Sequence, residues 1–229
     1  TLGIPGSPGV PASLVASTLS LPYNDSDCVK SVFSTQAEKI ACVIVEPVAG
    51  NMGVVKPMDG FLAGLRELTA KHGIVLIFDE VMTGFRVHRG GAQSLYNIKP
   101  DLTTLGKVIG GGVPVGAFGG RQDFMDMIAP AGPVYQAGTF SGNPLAMAAG
   151  VETLRILEDP ATWENLEVHS RKLKEGVLSI LRKKALNYQL QSVGSMFTLF
   201  FSENPVTNWA TASLANREKY AQFFRNMLD

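Results

Sequence analysis

The 229 residues are 45% hydrophobic and 17% charged, which is enough apolar material for a folded core and too few charges for a disordered chain. Lys and Arg number 20 and Asp and Glu number 20, so no basic surplus exists to attract nucleic acid or an anionic membrane. No apolar run approaches the roughly 18 residues that cross a bilayer, and the opening TLGIPGSPGVPASLV lacks the charged start and apolar middle of a signal peptide.

The length suits one large domain, or a large one with a small appendage. There is no initiator methionine and the chain opens in a loop, so it reads as a piece of something longer. Residues 1–23 are rich in Gly, Pro, Ser and Thr without a period and are read as loop, either a surface linker or a mobile lid. Asn24-Asp25 can cap a helix that carries Val29, Val32 and Phe33 on one stripe and ends near Lys39. Ile40 to Val45 (IACVIV) is a β-branched apolar run, expected as a strand buried on both faces and stopped by Pro47. The Gly-rich loop that follows holds Asn51, on its own a turn residue as readily as a ligand contact.

Asp59 to His72 repeats apolar residues at helical spacing and is followed by Gly73, a plausible C-cap. Ile74 to Phe78 is the next buried strand, which completes a βαβ unit. After a loop over 82–100 come a short strand at Leu102–Leu105, then Lys107, the linker GGGVPVG and a further strand in VGAFGG. Gln122 to Ile128 reads as a short helix, and Asn143 or Pro144 starts a stronger one through Leu157. A long helix spans about Thr162 to Lys184, with Leu166, Leu173, Val177, Ile180 and Leu181 facing inward and a solvated charged face outside. Residues 188–202 alternate around a glycine, as two antiparallel strands do, and one helix covers the tail from Trp209.

Cys28 and Cys42 read as small core residues of a reducing compartment, and the three histidines have no metal-binding spacing. Neither a P-loop nor G-x-G-x-x-G occurs, and GTFSG misses a nucleophile elbow by one position. What remains is a pair of polar residues at strand ends, Asp79 and Lys107, 28 positions apart. A carboxylate that ends a buried strand needs a cation or a donor. Two readings stand open: an ion pair with an Arg such as Arg86 or a cap on the next helix, or a carboxylate and lysine serving a pyridine cofactor. Pyridoxal phosphate (PLP) requires the second arrangement, with Asp on the ring nitrogen and Lys in a Schiff base.

The strings FDEVMTGFR, PDLTTLGKVIGGGVPVGAFGGR and APAGPVYQAGTFSGNPLA closely resemble the PLP-dependent class III aminotransferase family of fold type I, and within it the glutamate-1-semialdehyde aminomutases. The resemblance covers essentially the whole chain. It implies an α/β fold with a mainly parallel large-domain sheet over residues 1–157 and the beginning of a small α+β C-terminal domain over 158–229. It implies Lys107 as the cofactor lysine and proton shuttle, Asp79 on the ring nitrogen, Val81 on one ring face and Asn51 beside the cofactor. Gly138 and Thr139 would bind the cofactor phosphate of a neighbouring subunit, and Tyr135 would lie near the substrate channel. It further implies a homodimer with shared sites, pyridoxal or pyridoxamine phosphate as cofactor, and conversion of glutamate 1-semialdehyde to 5-aminolevulinate in bacterial cytoplasm or plastid stroma. Met82 stands where many class III transaminases carry Gln, and Asn51 where they often carry an acid, which favours the aminomutases. Two rivals stay open: an ω-amino acid transaminase, and a catalytically incomplete fold-type I chain used for binding or scaffolding. Family members are about twice this length, so the remaining phosphate, ring-stacking and substrate-carboxylate contacts, which have no counterpart here, are expected elsewhere, and the fragment alone is expected to be inactive.

Overall fold

The structure, a computed structural model, describes residues 7–228. Its centre is a four-stranded sheet in the order β1 (Cys42–Val45), β2 (Val75–Asp79), β3 (Leu102–Gly106) and β4 (Gly116–Gly120). β1, β2 and β3 run parallel, whereas β4 returns antiparallel from Gly106 opposite Gly116 to Leu102 opposite Gly120. The mixed sheet with helices between its parallel strands is the expected α/β plan.

Residues 7–23 hold only one helical turn, α1 (Ala12–Val15). Helix α2 (Ser26–Gln36) starts where Asp25 accepts the Cys28 N–H, and a 3-10 turn continues it to Lys39. Helix α3 (Phe61–His72) links β1 to β2 and stops at Gly73. Together α2 and α3 cover one face of the sheet: Val29, Phe33, Phe61, Leu62 and Leu65 pack on Leu76 and Phe78. Each such side chain contributes about 1.5–3 kcal/mol by leaving water.

The opposite face differs from expectation. β1 was read as buried on both sides, yet Cys42 is exposed and Ile44 is 59% exposed. The parallel register pairs Val43 with Leu76 and Val45 with Phe78 on the helix-covered side, and pairs Ile44 with Ile77 on the other. An apolar run on both sides shows what a strand could bury, not what covers it. Cys28 is only half-buried, so neither cysteine is the core residue that was expected.

Beyond β2, a one-turn helix α4 (Gly91–Leu95) lies inside what was read as loop. Helix α5 (Gln122–Met125) follows β4, and α6 (Pro144–Glu158), capped by Asn143, packs on the turn after β3. Helix α7 (Pro160–Lys183) buries Leu181, but Leu166, Leu173 and Ile180 are exposed, against the inward stripe predicted for them. The hairpin β5 (Gln189–Val193) and β6 (Met196–Phe200) forms as expected, and the tail divides into two helices, α8 (Trp209–Ala212) and α9 (Arg217–Asn226), because Asn208 and Asn216 each cap a new start. The hairpin sits on the loops that follow β1 and β2. Met196 joins Val48, Val54 and Val87, while Phe200 joins Ala49, Val55 and Val206. Among the described residues no helix is long and apolar enough to cross a membrane.

Candidate active site

The C-terminal ends of β1, β2 and β3 lie side by side, and each delivers polar groups there. β1 runs into Glu46-Pro47, whose carbonyl accepts a hydrogen bond from Tyr23 at 3.1 Å. Burial, with the nearby Tyr96 and Glu46, pushes the Tyr23 phenol up, so it stays a donor. The loop then folds back through Ala49 and Val55, which exchange backbone hydrogen bonds. Glu46 fixes its tip by accepting from Gly50 N–H and, at 2.8 Å, from Asn51 Nδ2. One Asn51 amide N–H is thereby committed, which leaves the second N–H and the carbonyl oxygen to meet a ligand.

β2 ends on Asp79. Its side chain falls on the sheet face shared by Ile44 and Ile77, away from α2 and α3. Its Oδ1 accepts the Val81 N–H at 3.0 Å and the Thr104 hydroxyl at 3.4 Å. Oδ2 accepts nothing from the described residues. Both plain readings of Asp79 are thereby corrected: it has no ion pair with Arg86 and caps a turn, not the next helix. Arg86 instead lines a cleft against α7 with Arg89, Trp163 and Arg171.

β3 lies beside β2 with Thr104 opposite Asp79, and it ends in Gly106. A side chain at 106 would meet the Val81 methyl at 3.2 Å and the Val115 carbonyl at 3.4 Å, so glycine lets the three segments close on one another. Lys107 follows with φ of 46°, a left-handed conformation that a lysine adopts at some cost, and starts a 3-10 turn buttressed by α6. Lys107 is exposed and makes no ion pair among the described residues.

Asp79, Val81 and Lys107 are therefore brought together, with Asn51 on the adjoining strand end and its neighbour Gly50 packed on Met82. Tyr135, Gly138 and Thr139 are not. They lie in the long loop before α6, where Tyr135 is 83% exposed and Gly138 and Thr139 are exposed, with no hydrogen bond to the other site residues. Sequence reasoning missed Glu46, Glu80 and Thr104. Glu80 had a signal: strand alternation puts it opposite Asp79, on the buried side, where an acid must find donors.

The family profile described as aminotransferase class-III matches residues 4–222. The chain belongs to the class III aminotransferases. Among curated relatives it is 56% identical over 229 residues to glutamate-1-semialdehyde 2,1-aminomutase 2 of Brevibacillus brevis, covering 100% of this chain and 53% of the relative. Among solved structures, an omega-transaminase from Sphaerobacter thermophilus superposes with a TM-score of 0.87 at 36% identity, over 94% of this chain and 49% of the other. A glutamate-1-semialdehyde aminomutase of Pseudomonas aeruginosa in complex with PMP gives a TM-score of 0.77 at 27% identity, over 91% and 48%. The chain spans about half the length of the curated relatives it matches.

As a class III aminotransferase the chain must suit a pyridine cofactor, and the residues present do. The open Asp79 Oδ2 could accept from a protonated ring nitrogen, Val81 offers an apolar surface beside it, and Lys107 follows the end of the neighbouring strand, where it could supply an amine.

Proposed function

We propose that the complete protein is a PLP-dependent intramolecular aminotransferase, converting glutamate 1-semialdehyde to 5-aminolevulinate. The observation that carries the chemistry is the placement of Asp79 and Lys107 at the ends of neighbouring parallel strands, with one carboxylate oxygen open. The aminomutase branch is supported by 53–56% identity along the whole chain to three curated aminomutases. It is supported also by Met82, which packs among Val48, Val54 and Met196 instead of offering an amide.

When bound, the cofactor supplies a transferable amino group and an electron sink. Substrate and product are isomers in which amino and oxo groups exchange on adjacent carbons, so no second donor is consumed. Asp79 holds the proton on the ring nitrogen. Lys107 takes a proton from one carbon and returns it to another. Asn51, oriented by Glu46, would lie beside the cofactor, and Val81 would fill the space against one ring face. Gly138 and Thr139 reach the phosphate of a neighbouring subunit in a homodimer, with Tyr135 near the substrate. In this reading residues 1–157 belong to the cofactor domain and 158–229 to a smaller lobe, in bacterial cytoplasm or plastid stroma.

The test supplies the complete protein with glutamate 1-semialdehyde and no other amine. The reading predicts 5-aminolevulinate; product only after an amino donor is added would make the protein a transaminase, the reading favoured by the Sphaerobacter thermophilus likeness.

A further inference from the structure

Glu80 is 0% exposed, adjoins Asp79, and has no place in the chemistry above. No cation meets it. Its Oε2 accepts the Thr83 hydroxyl at 2.9 Å and the Ala92 N–H at 2.6 Å. Its Oε1 accepts the Gln93 N–H at 2.9 Å and the Gln93 side-chain amide at 3.2 Å. Four donors satisfy one carboxylate, and all come from the loop that leaves β2 and from the start of α4. The site is built closely: a Cβ on Gly91, which has φ of 70°, would stand 2.5 Å from Oε2.

The same network returns to β3. The Gln93 amide that reaches Glu80 also lies 3.4 Å from the Thr103 hydroxyl. On the other face of the sheet the Thr104 hydroxyl reaches Asp79, while the Glu80 N–H donates to the Thr104 carbonyl at 3.0 Å. The end of β2 is therefore tied to β3 from both faces, three residues before Lys107. A carboxylate within a few tenths of an ångström of its working place needs such support.

We propose that Glu80, acting through Gln93 and Thr103, is a positioning residue that fixes the Asp79 carboxylate relative to Lys107. The inference rests on the reading of Asp79 as the ring-nitrogen partner. Glu80→Gln would turn an amide N–H toward either the Ala92 or the Gln93 donors; Gln93→Ala would cut the bridge to β3 and with it one of the four donors to Glu80. Outer partners of this kind cost roughly ten-fold in affinity when lost from metal ligands, and a similar factor is expected here.

The test uses the complete protein with Glu80→Gln, Gln93→Ala and Asp79→Ala. Three quantities are read: affinity of the apoprotein for PLP, the pH profile of the bound cofactor's visible absorbance, and the thermal midpoint. Gln93→Ala is expected to weaken PLP binding about ten-fold and to move the pH profile in the direction that Asp79→Ala moves it, with little change in midpoint. Glu80→Gln should do more of the same; if it does not fold, Gln93→Ala decides. Should Asp79→Ala move the profile while both network variants leave profile and affinity unchanged, Glu80 only holds the loop and the inference fails alone. Should Asp79→Ala itself leave the profile unchanged, the reading of Asp79 fails and takes the inference with it.

Discussion

Two aspartates stand at opposite ends of the neighbouring strands β2 and β3, and their surroundings set them to different work. Asp101, just before β3, is buried and saturated: it accepts the Leu76 N–H at 2.8 Å, Arg66 at 2.9 Å and Arg121 at 3.0 Å. Burial alone raises its pKa, but the Leu76 N–H and the two guanidinium groups outweigh it and hold the carboxyl below the ordinary range. A carboxyl lowered by folding adds stability that is present above its unfolded value, near 4, and is lost as pH falls through its lower folded value. Asp101→Asn should therefore cost about 1–3 kcal/mol at neutral pH. That deficit should shrink in denaturant titrations taken at successively lower pH below about 4; a deficit that stays constant to strong acid would contradict the ion-pair account. Asp79, by contrast, keeps an oxygen open among the described residues, and Lys107, just past the end of the neighbouring strand, is exposed and makes no ion pair among them. Lys107→Ala should abolish the visible band of lysine-bound cofactor and lower turnover about 10²–10⁴-fold. Both are read on the purified holoenzyme, and survival of the band would remove Lys107 from its role.

At the level of elements, what the sequence made legible was the pattern of groups able to be buried or to end a strand. Asp79 was found because it closes an apolar run and Lys107 because it ends a strand-like segment, and β2 and β3 form where those segments lie. Cover was not legible. Ile44, Leu173 and Ile180 have apolar neighbours at the right spacing, yet they are exposed, because spacing says nothing of the surface laid against them. The clamp on Glu80 was hidden for a different reason: its donors Ala92 and Gln93 lie 12 and 13 residues ahead, beyond a loop with no period. The helix-covered face does carry a quantitative expectation. Phe78 is fully buried between α2, α3 and the sheet. Phe78→Ala should cost about 3–5 kcal/mol, seen as a lowered denaturant midpoint with little change in slope. Because Phe78 precedes Asp79, cofactor affinity should fall with it. A loss under about 1 kcal/mol would mean that this core can collapse around the gap.

For the molecule as a whole, the exposed loop before α6 is the feature that a single chain does not explain. Val134, Tyr135 and Phe140 are exposed there, followed by Leu145 on the first turn of α6. Gly138 and Thr139 lie between them, apart from the Asp79 and Lys107 cluster. If that loop serves the neighbouring subunit, each site draws Lys107 from one chain and Thr139 from the other. Lys107→Ala removes the lysine from one site, and Thr139→Asp places a negative charge against a phosphate in another. Each variant alone should be inactive as a homodimer. In a mixed dimer the Thr139→Asp chain keeps its lysine and receives an intact Thr139 from the Lys107→Ala chain, so one of the two sites is whole. Random exchange makes half the dimers mixed, so unfolding and refolding the two variants together should restore about a quarter of wild-type activity. Recovery depends on exchange, so mixing without unfolding should restore much less. Sites that were complete within one chain would give no recovery under either protocol, and Thr139 would then have to be assigned to its own chain's phosphate or to none.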